Sequence, residues 1–113
     1  MNQIHVNTVL SYLSGFGTAN IEQISRDFNK DVILTDWIDT WTGKPEVIEA
    51  IQSLLDKVSI IIVPEKIFWS TDDTGTIATC MIDIYAGNSH DKVVDIIHLN
   101  HAGNIQSITA YKQ

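Results

Sequence analysis

Apolar positions recur along this chain with two periods, and the change from one to the other divides it. From Val6 to Phe16, the residues Val9, Leu13 and Phe16 fall at helical spacing, with Val6 and Leu10 on one flank and Tyr12 on the other. Gly15 and Gly17 end that run. A second helical stretch is expected near residues 20–29, with Asn20 as its N-cap and Ile21, Ile24 and Phe28 turned inward. Lys30 and Asp31 lead into a strand from Val32 to Asp36, where Val32, Leu34 and Asp36 share a face because side chains alternate. A third helix is expected over 44–57. Pro45 suits its first turn, Glu46 complements its dipole, and Val47, Ile51, Leu54, Leu55 and Val58 form its buried stripe.

Beyond Val58 the period shortens to that of strands. Ser59–Ser70 is one such pattern, interrupted by Pro64, which calls for a bulge or bend. Thr76–Tyr85, Val93–Leu99 and Ile105–Tyr111 follow, separated by turns at Asp72-Asp73-Thr74-Gly75, Gly87-Asn88-Ser89 and His101-Ala102-Gly103. The order implies a single α+β domain over residues 1–113, three N-terminal helices packed on one face of a curved, mostly antiparallel sheet. The central strands are apolar on both faces, more than the helices can cover. A homodimer through the convex sheet face is therefore expected, using Ile82, Ile84, Ile96 and His98.

Composition narrows the function. The 113 residues suffice for one core, and a net charge of -7 repels phosphate backbones, which argues against nucleic-acid binding. No apolar run is long enough to span a bilayer and no signal segment is visible, so a cytoplasmic location is the default. Cys80 is the only cysteine, which rules out an internal disulfide. No histidine or cysteine spacing resembles a zinc or non-haem iron site, and no glycine-rich loop reads as a phosphate cradle, so neither metal nor cofactor is expected.

The chemistry rests on acids in apolar surroundings. Asp95 shares a strand face with Val93, Ile97 and Leu99, and a carboxylate there is costly when ionised, so its pKa should rise. It is either a functional acid or a buried aspartate satisfied by a neighbouring donor. Asp36, at a strand end before Trp37 and Trp41, is either a general base or a solvated acid that starts a turn. Tyr12 is either a hydroxyl donor or a core aromatic. If the hairpin is symmetric about Ser89, Asp83 lies opposite Asp95 and one of the two stays protonated; otherwise Asp83 is a surface acid.

Tyr12 begins the stretch YLSGFGTANIEQISRDFNKDVILTDW, which ends just past Asp36, and Asp95 begins DIIHLNHAGNIQSITAY. In order and spacing these three residues resemble the ketosteroid isomerase site, and the chain as a whole resembles the SnoaL-like and ketosteroid isomerase branch of the NTF2-like superfamily. The resemblance implies a cone-shaped fold with a hydrophobic pocket between helices and sheet, here lined by Phe16, Trp37, Trp41, Asp83 and Ile97. It implies a cofactor-free enzyme that moves a proton next to a carbonyl of a small hydrophobic ligand. Asp36 would be the base, and Tyr12 with protonated Asp95 would stabilise the enolate. In a cyclase-like variant one aspartate suffices, and Asp95 is the candidate. The family usually has proline where this chain has Trp37, which would narrow the mouth or change the substrate's shape. The alternative is a non-catalytic ligand-binding or dimerisation module of the same fold.

Overall fold

Asn2 closes the first turn of the chain. Its side-chain oxygen accepts the amide of Ile4 at 2.9 Å and starts α1 (Gln3–Gly15), a turn earlier than the apolar stripe alone predicts. The computed structural model describes residues 2–113. The inward stripe of α1 is Val9, Tyr12 and Leu13, continued by Phe16 just past its end. Tyr12 therefore lies within the stripe and not on its flank. Gly15 does more than end the helix. A Cβ there would meet Ile24 Cγ1 at 2.7 Å, so the missing side chain is what lets α2 (Ile21–Ser25) pack so closely.

Asn20 caps α2 through the amide of Gln23, as expected, but the helix stops at Ser25. The backbone carbonyl of Asp27 accepts the amide of Ile105, and β1 (Phe28–Thr35) begins at once. Phe28 is buried as expected, but from a strand, because pairing with the last strand outweighs local helical preference. A three-residue β2 (Thr40–Thr42), too short to show alternation, folds back on β1 with Trp41 opposite Leu34. Helix α3 (Lys44–Lys57) has the expected bounds. Its Val47 and Ile51 are buried, whereas Leu54, expected in the same stripe, is 47% exposed.

The remaining strands are β3 (Ile60–Asp72), β4 (Gly75–Ala86), β5 (Ser89–Leu99) and β6 (Ile105–Lys112). They form one six-stranded sheet in the order β2-β1-β6-β5-β4-β3. All pairs are antiparallel except β1 with β6. The register of β3 on β4 shifts between Pro64 and Lys66, the bulge expected of that proline.

The β4–β5 hairpin turns through Gly87-Asn88 alone, with Ala86 opposite Ser89. Asp83 therefore pairs with Lys92, and Cys80 stands opposite Asp95. The expected Asp83–Asp95 pair does not form. The same register sorts the two faces. Ala78, Cys80, Ile82, Val93, Asp95, Ile97 and Leu99 face the helices and are buried. Ile96 and His98 face the other way, so Ile82, which is 2% exposed, cannot share a convex surface with them. By the same alternation Ile84 belongs with Ile82. The convex face instead exposes Ile61, Val63, Phe68, Met81, Tyr85 and Tyr111.

Candidate functional site

Strand β5 carries one acid into the core. Asp95 is 5% exposed, between Val93 and Ile97 on the face turned to the helices. Its cross-strand neighbours, Cys80 on β4 and Ala110 on β6, are both small, so the sheet itself covers the carboxyl thinly. Above it α1 supplies Tyr12, whose ring meets Phe16 edge-on at 5.4 Å and lies tilted against Phe28 at 6.0 Å. These aromatic contacts hold the ring in one orientation.

The three polar groups in this interior influence one another. Burial alone pushes the Asp95 carboxyl up to about 7, with no contribution from a hydrogen-bond donor. Burial first, then the nearby Asp95 charge and then Cys80, raises the Tyr12 hydroxyl well above its ordinary range. Burial and then Asp95 push the Cys80 thiol up to about 12. Near neutral pH, Asp95 can therefore both give and take a proton, Tyr12 stays a hydroxyl donor, and Cys80 stays an inert thiol. Among the described residues, no sealed side-chain nitrogen or oxygen lacks a hydrogen bond. The Asp95 carboxyl, which gains none, must therefore still touch open space.

Asp36 lies at the end of β1, two strands from Asp95. It follows β1 and lines a groove of about 650 Å³ between the β1–β2 loop and α3, together with Leu34, Trp41, Ile51, Leu54 and Glu49. One of its oxygens accepts the amides of Ile38 and Asp39, at 2.7 and 3.0 Å, and so builds the turn. Neither Tyr12 nor Asp95 lines this groove, and Asp36 is not among the influences on Asp95. Tyr12 and Asp95 share the interior, and Asp36 stands two strands from Asp95, one residue past the Thr35 that pairs with Thr109.

The expected pocket residues divide likewise. Phe16 and Ile97 are core residues beside Tyr12 and Asp95 respectively, and Trp41 lines the groove. Trp37 points away from both places: it is 48% exposed, under the Lys112 ammonium, which lies 5.5 Å from its ring. Asp83 is on the sheet's outer face, bonded to His90 at 2.8 Å and Lys92 at 3.2 Å, and these partners hold its carboxyl below the usual range. The close register of Cys80 and Ala110 to Asp95, and the α3 wall of the groove, were not foreseen. Counting the hairpin from the two-residue Gly87-Asn88 loop would have placed Cys80.

No family model and no curated protein matches the chain. Solved structures do. An inferred ketosteroid isomerase from Kribbella flavida superposes with a TM-score of 0.83 at 12% identity, covering 98% of this chain and 78% of that one. An inferred dehydratase of the NTF2-like family from Streptomyces avermitilis gives 0.84 at 13% identity, covering 98% and 94%. The Anabaena Orange Carotenoid Protein, described as binding canthaxanthin, gives 0.82 at 17% identity, covering 91% of this chain and 34% of that one.

Proposed function

For a chain with the NTF2-like fold, we propose a cofactor-free acid–base enzyme acting on a small, hydrophobic, carbonyl-containing ligand. The observation that carries this reading is the Asp95 carboxyl, held in the core beside Tyr12 and given no protein donor. A group of this kind costs stability, and such groups concentrate where chemistry needs them. In this reading Asp95 removes the proton from carbon next to the carbonyl and returns it at another position. Tyr12 donates a hydrogen bond to the developing enolate oxygen, at a site where low polarity strengthens it. Asp36, two strands from Asp95 at the end of β1, would serve as a second base for a ligand that reaches it.

Hydrogen–deuterium exchange next to the carbonyl of a β,γ-unsaturated ketone, followed by NMR, tests this. Asp95→Asn should abolish enzyme-catalysed exchange and Asp36→Asn should keep most of it. The reverse order would restore Asp36 as the base, with Asp95 only a donor. One observation favours a second reading. The large groove is not lined by Tyr12 or Asp95, as a binding module would allow. Absence of exchange on any such ketone, together with tight binding of an apolar ligand, would support it. We also propose a homodimer through the convex face, built on Met81, Ile96 and their exposed neighbours. No helix among the described residues is long and apolar enough to cross a membrane.

A further inference from the structure

We propose that the groove between the β1–β2 loop and α3 binds a small amphipathic organic cation, a hydrophobic amine or quaternary ammonium, independently of the chemistry at Asp95. Its volume, about 650 Å³, is that of a small-molecule site. Its walls are apolar where Leu34, Trp41 and Ile51 meet and where Leu54 stays 47% exposed. The rim is mostly acidic. Asp36, Asp39, Glu46 and Glu49 face a single lysine, Lys57.

Among the described residues the four rim carboxylates form no ion pair, and three of them are held in place by backbone amides. The ion pairs among the described residues lie elsewhere, on Asp83, Asp91 and Glu65. Asp36 accepts the amides of Ile38 and Asp39, Asp39 accepts that of Thr40 at 2.8 Å, and Glu46 accepts that of Thr42. Each of these bonds uses one oxygen of its carboxylate. Fixing the acids before binding lowers the ordering cost of a complex.

The occupant follows from this chemistry. An anion would meet a like-charged rim, and a neutral apolar molecule would leave the rim's field unused. A metal ion has no place here, since no group of three ligating side chains among the described residues is close enough to hold one. What remains is a diffuse positive charge on an apolar body, with the charge at the rim and the body against Trp41 and Leu54. Trp41 adds an aromatic surface, which favours cations.

The probes are 4-phenylbutylamine, 4-phenylbutanol and 4-phenylbutyrate, which share one body and differ in charge. Calorimetry on the intact protein should show the amine binding about tenfold or more tightly than the alcohol, and no binding of the carboxylate. Added salt should weaken the amine. Glu49→Lys, at an exposed helix position, should weaken the amine about tenfold. Glu22→Lys, the same change of charge on α2, should leave it within about twofold. Amide NMR shifts on adding the amine should fall on Asp36–Thr40 and Glu46–Leu54. Equal affinity for amine and alcohol, no loss in Glu49→Lys, or shifts confined to the surroundings of Tyr12 and Asp95 would each overturn the proposal. None of these outcomes depends on whether Asp95 moves a proton.

Discussion

Replacing Asp95 with asparagine keeps the shape of the side chain and removes its charge, so it isolates what burying that carboxyl costs. A folded-state pKa of about 7 stands about three units above the ordinary aspartate value of roughly 3.9. At about 1.36 kcal/mol per unit, the ionised group costs the fold about 4 kcal/mol. The sign follows from proton counting. Between pH ~4 and ~7 the native state holds a proton that the unfolded state has lost, so stability falls as pH rises through that window and is level above it. From pH 5 to 8.5 this one residue should remove about 2.6 kcal/mol from the wild type and nothing from Asp95→Asn. Urea unfolding of both proteins at the two pH values reads this directly. The comparison is of slopes against pH, so any cost of an unpaired asparagine amide cancels. If the two proteins show the same pH dependence over that range, the carboxyl is solvated and the reasoning fails.

Three further outcomes are expected. Cys80, buried and with its thiol pushed up to about 12, should resist iodoacetamide at pH 8 in the native state and react once urea unfolds the chain; rapid native labelling would contradict its position. Gly15→Ala should lower stability by about 1–3 kcal/mol in thermal or urea unfolding, because the new methyl group meets Ile24 at 2.7 Å; an unchanged stability would show that α1 and α2 are not in close contact. Light scattering should give a dimer at micromolar concentration that Ile96→Lys turns into a monomer; a monomeric wild type would refute the convex-face interface.

The elements that the sequence disclosed were those whose pattern is repeated. Helix α3 carries several apolar residues at one spacing between Pro45 and Lys57, and its bounds emerged as expected. Asp95 was legible for the same reason, since alternation over Val93 to Leu99 leaves its face in no doubt. What escaped depends on partners distant in sequence. Phe28 fits a helical stripe and a strand equally, and β6 decides the matter by pairing Ile105 with it. Asp36 follows Thr35, which pairs with Thr109 next to the Ala110 partner of Asp95, so the register leaves the two acids close to level two strands apart, while Asp36 also lines the groove beside α3. The Asp83–Asp95 pairing failed because the hairpin turns between Gly87 and Asn88 and not about Ser89, and side-chain partners across a hairpin follow the turn. Leu54 belongs to its helix's apolar stripe by spacing, yet it stays 47% exposed, and periodicity within one helix cannot report what stands opposite it.

The claim on which the function rests is that Asp95 is a displaced carboxyl, poised to exchange a proton near neutral pH. Titrating its side-chain carbon by ¹³C NMR in the folded wild type, with Asp95→Asn to assign the signal, measures this with no substrate needed. The account predicts a midpoint near 7. A midpoint near 4, that of an ordinary solvated aspartate, would contradict it.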